Sequence, residues 1–191
     1  MGSTLFQALN AFEGANDSEE NLIMEFEKIA KAAFFSGYFQ INGNFKDSYK
    51  LKLTYIEFYY HEDEGRIKDE KKYLKGKGEF GYALGAVCPN PSDVDILFDN
   101  SSKKYHASFL IRGYRAIVPG EDDWENNDKN RNCAPHDFWY DFFGGANMLN
   151  TGKFSIEWID EKEDTTDIVK QVQRININDG RLWGFKRTMK P

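Results

Sequence analysis

The sequence places one acidic side chain in a row of apolar and aromatic residues, and a side chain of this type in such a position could take part in a reaction. Residues 51–60 are rich in β-branched and aromatic residues, which predicts a β-strand. Alternate residues of a strand share a face, so we expect one face to carry Leu51, Leu53, Tyr55, Glu57 and Tyr59. A lone carboxylate in such a row either has a dedicated partner or carries chemistry.

Two further predicted strands could bring partners to Glu57. In residues 93–98, Asp93 and Asp95 share one face. Residues 106–118 place three side chains on one face, Leu110, Arg112 and Tyr114. A carboxylate near a cation and an aromatic wall is typical of a hydrolytic site with a general base. A cross-strand ion pair between Glu57 and Arg112 is the structural alternative, and the residues by themselves favour it because such pairs are common.

Other chemistries have weaker signals in this sequence. His61, His106 and His136 are scattered and form no His-Glu-x-x-His pattern, so no metal site is predicted. No glycine-rich phosphate loop and no nucleophile elbow is visible. The acidic run 121–123 could bind a hard cation, but a solvated loop is the favoured interpretation, because like-charge runs usually are solvated. We therefore expect neither a metal nor a cofactor.

Composition and charge narrow the class of protein. The 191 residues suffice for a single domain over residues 1–191. A net charge of −6 argues against a strong, non-specific nucleic-acid binder. An aromatic content of 16% fits a core and also pockets for planar ligands. No membrane-spanning run and no signal peptide is visible, so we predict a cytoplasmic protein in which Cys88 and Cys133 are thiols.

The elements that would position these residues can be read along the chain. A helix is predicted from Ser18 to Phe35, because a capping residue and acidic first turn precede an apolar stripe at helical spacing. A short aromatic helix is predicted over residues 137–143. The predicted strands cover residues 38–41, 49–60, 80–87, 93–98, 106–118, 154–159, 168–177 and 182–187. One helix followed by six to eight strands indicates a mostly antiparallel sheet.

Two of these segments carry a resemblance to a known family. Residues 53–59 read Leu-Thr-Tyr-Ile-Glu-Phe-Tyr, and residues 108–117 read Ser-Phe-Leu-Ile-Arg-Gly-Tyr-Arg-Ala-Ile. They resemble motifs of the alkyladenine (3-methyladenine) DNA glycosylases, a Glu-Thr-Glu-Ala-Tyr strand and a Val-Leu-Ile-Arg-Ala-Leu-Glu-Pro strand. The resemblance assigns the catalytic role to Glu57, base stacking to Tyr59 and the family's motif arginine to Arg112.

The resemblance covers roughly residues 20 to 160 and implies further site residues. Asp95 would replace a pocket asparagine, and Tyr82 falls loosely in the strand that wedges DNA. The acidic segment 61–66 departs from the family pattern, and its Gly-Pro-x-Lys segment is not preserved. Together, the elements and the resemblance predict an α+β fold whose antiparallel sheet is strongly curved or barrel-like, with an N-terminal helix and the short aromatic helix.

The implied activity is hydrolysis of the N-glycosidic bond of a damaged, alkylated purine in base-excision repair. The base would be rotated out of double-stranded DNA, and Glu57 would activate the attacking water without a metal or cofactor. Asp95 close to Glu57 would raise the pKa of one of the two carboxyls. The alternative is a non-catalytic relative of the same fold that binds a ligand or a protein partner.

Overall fold

The computed structural model of the chain describes residues 3–15, 18–42, 49–69, 83–90, 93–117, 131–132, 154–162 and 165–188. Within these ranges the chain forms two helices and nine strands. The helices are α1 (Thr4–Asn10) and α2 (Glu19–Phe35). The strands are β1 (Gly37–Asn42), β2 (Tyr49–Glu62), β3 (Val87–Asn90), β4 (Asp93–Leu97), β5 (Tyr105–Ile117), β6 (Arg131–Asn132), β7 (Ser155–Asp160), β8 (Ile168–Val172) and β9 (Gly184–Thr188).

Both helices begin at a serine cap. Ser18 Oγ accepts a hydrogen bond from the Asn21 backbone at 3.4 Å, and Ser3 Oγ accepts one from the Phe6 backbone at 3.3 Å. Such caps satisfy donors that the first helical turn leaves without partners. The predicted helix from Ser18 to Phe35 is therefore confirmed, whereas α1 was not predicted.

The strand β2 is the centre of a forked antiparallel sheet. Along one edge, β2 pairs with β5 from Lys50 to Glu62. Its other edge pairs first with β1, at Leu51 opposite Phe39, and further on with β9, at Ile56 opposite Phe185. β7 flanks β1, β8 flanks β9, and β4 with β3 extends the sheet beyond β5. The fork places two separate branches, β1–β7 and β9–β8, on the same side of β2.

The predicted strongly curved or barrel-like sheet is wrong, because the sheet is open and not strongly curled. Among the strands that the structure describes, β3 pairs only with β4, β7 only with β1 and β8 only with β9. A barrel closes only when its two edge strands pair with each other. The antiparallel pairing of the sheet and the accompanying helical layer are present, and the predicted aromatic helix over residues 137–143 lies outside the described residues.

Two strand boundaries also differ from the prediction. Residues 83–86 form a turn and not a strand, and β3 begins at Val87 and continues through Pro89. The strand predicted over residues 168–177 ends at Val172, after which the chain leaves the sheet. The residues that follow Val172 contact Tyr55 and Glu57 of β2 instead of continuing along β9, and this accounts for the early end of the strand.

Two bulges change which side chains share a face of β2 and β5. The register runs from Leu53 opposite Tyr114, through Tyr55 opposite Gly113, to Ile56 opposite Ile111. β2 therefore contains one extra residue, Thr54, and β5 contains one extra residue, Arg112. Each extra residue shifts the alternation of its strand by one position.

The predicted single row on β2 is wrong for this reason. One core cluster contains five side chains of β2, Leu51, Leu53, Ile56, Phe58 and Tyr60. Tyr55, Glu57 and Tyr59 lie on the opposite face, which we call the site face. On β5, Tyr114 belongs to the core and does not share the face of Arg112 and Leu110, as had been expected.

The helices cover the core face of the sheet. Phe26 of α2 stacks on Phe58 with ring centroids 4.2 Å apart. Phe12, just after α1, contacts the rings of Phe26, Tyr60, Phe98 and Tyr105. This aromatic layer anchors β2 from behind the site face.

Candidate functional site

Glu57 lies at the centre of the site face and is 0% exposed. Its Oε1 accepts hydrogen bonds from the Tyr55 hydroxyl and the Ile175 backbone N–H, both at 2.5 Å. Its Oε2 accepts one from Arg112 Nε at 2.8 Å and one from the Tyr59 hydroxyl at 3.2 Å. Each carboxylate oxygen therefore has two donors, which is the number that its two lone pairs accommodate.

The Glu57–Arg112 contact is a buried ion pair, with the Arg112 side chain 17% exposed. A buried charge is tolerated when it is paired and its remaining hydrogen-bonding capacity is satisfied. A general base, in contrast, needs a lone pair that faces water or substrate. The geometry around Glu57 meets the first requirement, and its four donors occupy the positions that an attacking water would use.

Tyr55 and Tyr59 act as neutral donors to Glu57. Burial raises the pKa of the Tyr55 hydroxyl well above its usual value, and its hydrogen bond to Glu57 raises it further. Burial and the charge of Glu57 likewise raise the pKa of Tyr59. Both hydroxyls therefore keep their protons at neutral pH and hold the carboxylate from two sides.

The segment after β8 covers the site face and contributes a second polar cluster. Arg174 Nη1 donates to Asp69 at 2.6 Å, and Arg174 Nη2 donates to Asp179 at 2.5 Å. The guanidinium carbon lies 4.8 Å from the centre of the Tyr59 ring and 5.0 Å from that of Trp183. One face of the Tyr59 ring is thus covered by an arginine of the protein itself.

The structure brings together three of the predicted site residues, Glu57, Arg112 and Tyr59. Asp95 is buried on the same face but pairs with Leu110 of β5, and Leu110 in turn pairs with Glu57. Two strand spacings, roughly 10 Å, therefore separate the backbone of Asp95 from that of Glu57. The four hydrogen bonds to the Glu57 carboxylate come from other residues than Asp95, and Tyr82 lies outside the described residues.

Sequence reasoning missed Arg174 and Ile175, which contact the centre of the site. They follow β8 by only two and three residues, in a segment predicted to continue as a strand. Tyr55 Oη also lies 3.3 Å from the Gln173 carbonyl oxygen, so this segment crosses over β2. No local pattern marks such a crossing, since its partners are more than a hundred residues away.

Two lysines lie on the site face beside Tyr55. Lys186 of β9 lies opposite Tyr55, with its ammonium 4.5 Å from the centre of the Tyr55 ring. Lys170 of β8 lies directly opposite Lys186. Like charges directly opposite each other destabilise a sheet. Packing within the sheet therefore does not explain why Lys170 and Lys186 lie side by side.

Comparisons with known proteins give no relative. No protein-family profile matches the chain, no curated protein is detectably similar to it, and no solved structure matches its fold. Over the described ranges, no helix is long and apolar enough to cross a membrane. In the same ranges, no group of three or more His, Cys, Asp or Glu side chains is arranged to hold a metal ion.

Proposed function

We propose that this chain is a non-enzymatic binding protein in which Glu57 holds the fold together. The observation that carries the proposal is the fully buried Glu57 carboxylate, with two hydrogen-bond donors on each oxygen. A carboxylate in this state stabilises the segment that covers it and has no lone pair left to activate water. Neither of two clefts in the described part of the chain, one beside Ser36 and one beside Tyr60, includes Glu57 in its lining.

Hydrolysis of damaged purines in DNA is the second candidate function. The positive charges around Glu57 favour it, since Arg112, Lys170 and Lys186 lie on one face and phosphates are bound mainly by such groups. The resemblance of residues 53–59 and 108–117 to the glycosylase motifs points the same way. Against it stands the closed environment of Glu57, which would have to open before catalysis.

An excision assay separates the two functions. The purified protein is incubated with duplex DNA containing an alkylated purine, beside Glu57→Gln and the control Glu161→Gln, which alters a partly exposed acid. We expect no release of base by any of the three proteins. Excision by wild type and Glu161→Gln that is abolished in folded Glu57→Gln would overturn the proposal and establish the glycosylase.

A binding assay then tests the positive charges. Fluorescence anisotropy with labelled duplex DNA at increasing salt compares wild type with Lys186→Gln and with Lys103→Gln, an exposed lysine on a distant turn. Binding that weakens with salt and is reduced by Lys186→Gln alone would make DNA the ligand of the site face. Equal binding, or none, in all three proteins would remove DNA as that ligand.

A further inference from the structure

A cleft of about 970 Å³ opens at the fork of the sheet. Its walls are α1, the second half of α2, the end of β7 and the beginning of β8. Small-molecule sites usually measure about 300 to 1,000 Å³, so this cleft has the size of a ligand site. It lies away from the Glu57 centre, on the side of the sheet where the two branches diverge.

Apolar side chains line part of the cleft. Ala8, Ala32, Phe35 and Val169 are half-buried there, and Ile168 is exposed beside them. They come from α1, α2 and β8, so the surface exists only when these three elements pack together. An apolar surface of this size binds the hydrocarbon part of a ligand by removing it from water.

Fixed contacts hold the walls in place. Arg187 Nε of β9 donates to Asp167 Oδ2 at 2.6 Å, and Arg187 Nη1 donates to the Phe34 carbonyl at 3.3 Å. Asp160 accepts a hydrogen bond from the Thr4 backbone at 3.0 Å, which ties α1 to β7. A cleft whose walls are fixed in the absence of ligand loses little conformational entropy when the ligand binds.

Lysines supply the accessible charge at the rim. The side chains of Lys28 and Lys31 are 69% and 58% exposed, and Lys162 is exposed. Lys28 and Lys31 each contact one glutamate, and an ammonium has three donors, so donors remain for a ligand.

The carboxylates of the cleft are held by donors within the protein. Asp167 is 15% exposed and contacts Arg187, Asp160 accepts from Thr4 and from the Trp158 indole, and Glu27 contacts Lys31. In the described part of the chain, Lys162 is the rim lysine that contacts no carboxylate, so its ammonium is the group that favours an anionic ligand here.

We propose that the fork cleft binds an amphipathic anion, a single hydrocarbon chain ending in a carboxylate. The chain would lie on the apolar lining, and the carboxylate would contact the ammonium groups of Lys31 and Lys162. The proposal rests on the non-enzymatic binding role proposed above, for which it names a site and a ligand class.

Calorimetry with three probes of equal chain length tests the ligand class. Decanoate and decylammonium, each below its micelle concentration, and decanol, below its solubility limit, are titrated into the full chain. We expect decanoate to bind tightest and decylammonium weakest, and octanoate to bind roughly tenfold more weakly than decanoate because two buried methylenes are lost. No binding of decanoate, or equal binding of decylammonium, would overturn the proposal.

Variants locate the site. Lys162→Gln should weaken decanoate binding about two- to fivefold and leave decanol unchanged, as expected for one exposed ion pair. The control Lys103→Gln should change neither. Ala32→Trp, which fills the cleft, should abolish binding of both probes in protein whose circular dichroism is that of wild type. Binding that none of the cleft variants alters would place the ligand elsewhere and contradict the proposal, whereas DNA excision would contradict only the function on which it rests.

Discussion

At the scale of single residues, Glu57 shows how one carboxylate can organise a sheet face. It accepts from a residue on each side of it in β2, from the neighbouring strand through Arg112, and from the covering segment through Ile175. Removing one partner of a buried ion pair leaves an uncompensated charge, which costs more than the pair contributes. The contribution of each residue of this centre to stability therefore depends on the presence of the others.

Because of the buried tyrosines, the stability of the protein should decrease at alkaline pH. Burial raises the pKa of Tyr105 to about 12, and burial also raises the pKa of Tyr55, Tyr59 and Tyr60. Below the unfolded pKa, near 10, both states are protonated and the contribution to stability is fully present. Above it the unfolded state ionises first, so stability should fall as pH rises towards the folded pKa values.

Urea unfolding between roughly pH 9 and pH 11 measures this effect. We expect the midpoint to fall across that range, with the tyrosinate absorbance of these residues appearing only together with unfolding. A constant midpoint, with every tyrosine ionising near pH 10 in folded protein, would contradict the burial of these hydroxyls.

At the scale of elements, local signals predicted α2 and much of the strand order, and non-local contacts decided the rest. The Ser18 cap and the apolar stripe of α2 lie within the helix itself. The bulges at Thr54 and Arg112 are properties of two paired strands, and neither strand alone indicates them. Sequence reasoning placed Glu57, Arg112 and Tyr59 in one candidate site. It did not predict that Arg174 and Ile175 cover that site.

The bulge predicts a specific sensitivity at Gly113. A Cβ at this position would lie 2.9 Å from Thr54 Oγ1 and 3.1 Å from Tyr55 Cβ. Gly113→Ala should therefore destabilise the protein by about 1–3 kcal/mol through overpacking, as measured by urea unfolding. Ser102→Ala, on an exposed turn, serves as the control and should change stability little. Equal stability of Gly113→Ala and wild type would mean that the two strands do not approach in this register.

At the scale of the whole molecule, the sheet is forked and open, whereas a barrel was predicted. A sheet closes into a barrel only when its edge strands pair with each other. Alternation and turn residues indicate that strands pair, and they do not indicate which edges remain open. Here β2 divides its second edge between β1 and β9, and the resulting fork creates the cleft between the two branches. The shape that sequence reasoning missed is therefore also the origin of the proposed ligand site.

The central claim is that Glu57 is a structural ion-pair centre and not a catalytic base. A double-mutant cycle tests it most directly, with urea unfolding of wild type, Glu57→Gln, Arg112→Gln and the double variant. We expect Glu57→Gln to lower the free energy of unfolding by about 3 kcal/mol, and the double variant to lose at least about 1 kcal/mol less than the sum of the single losses. A Glu57→Gln variant as stable as wild type, with additive losses, would contradict the account.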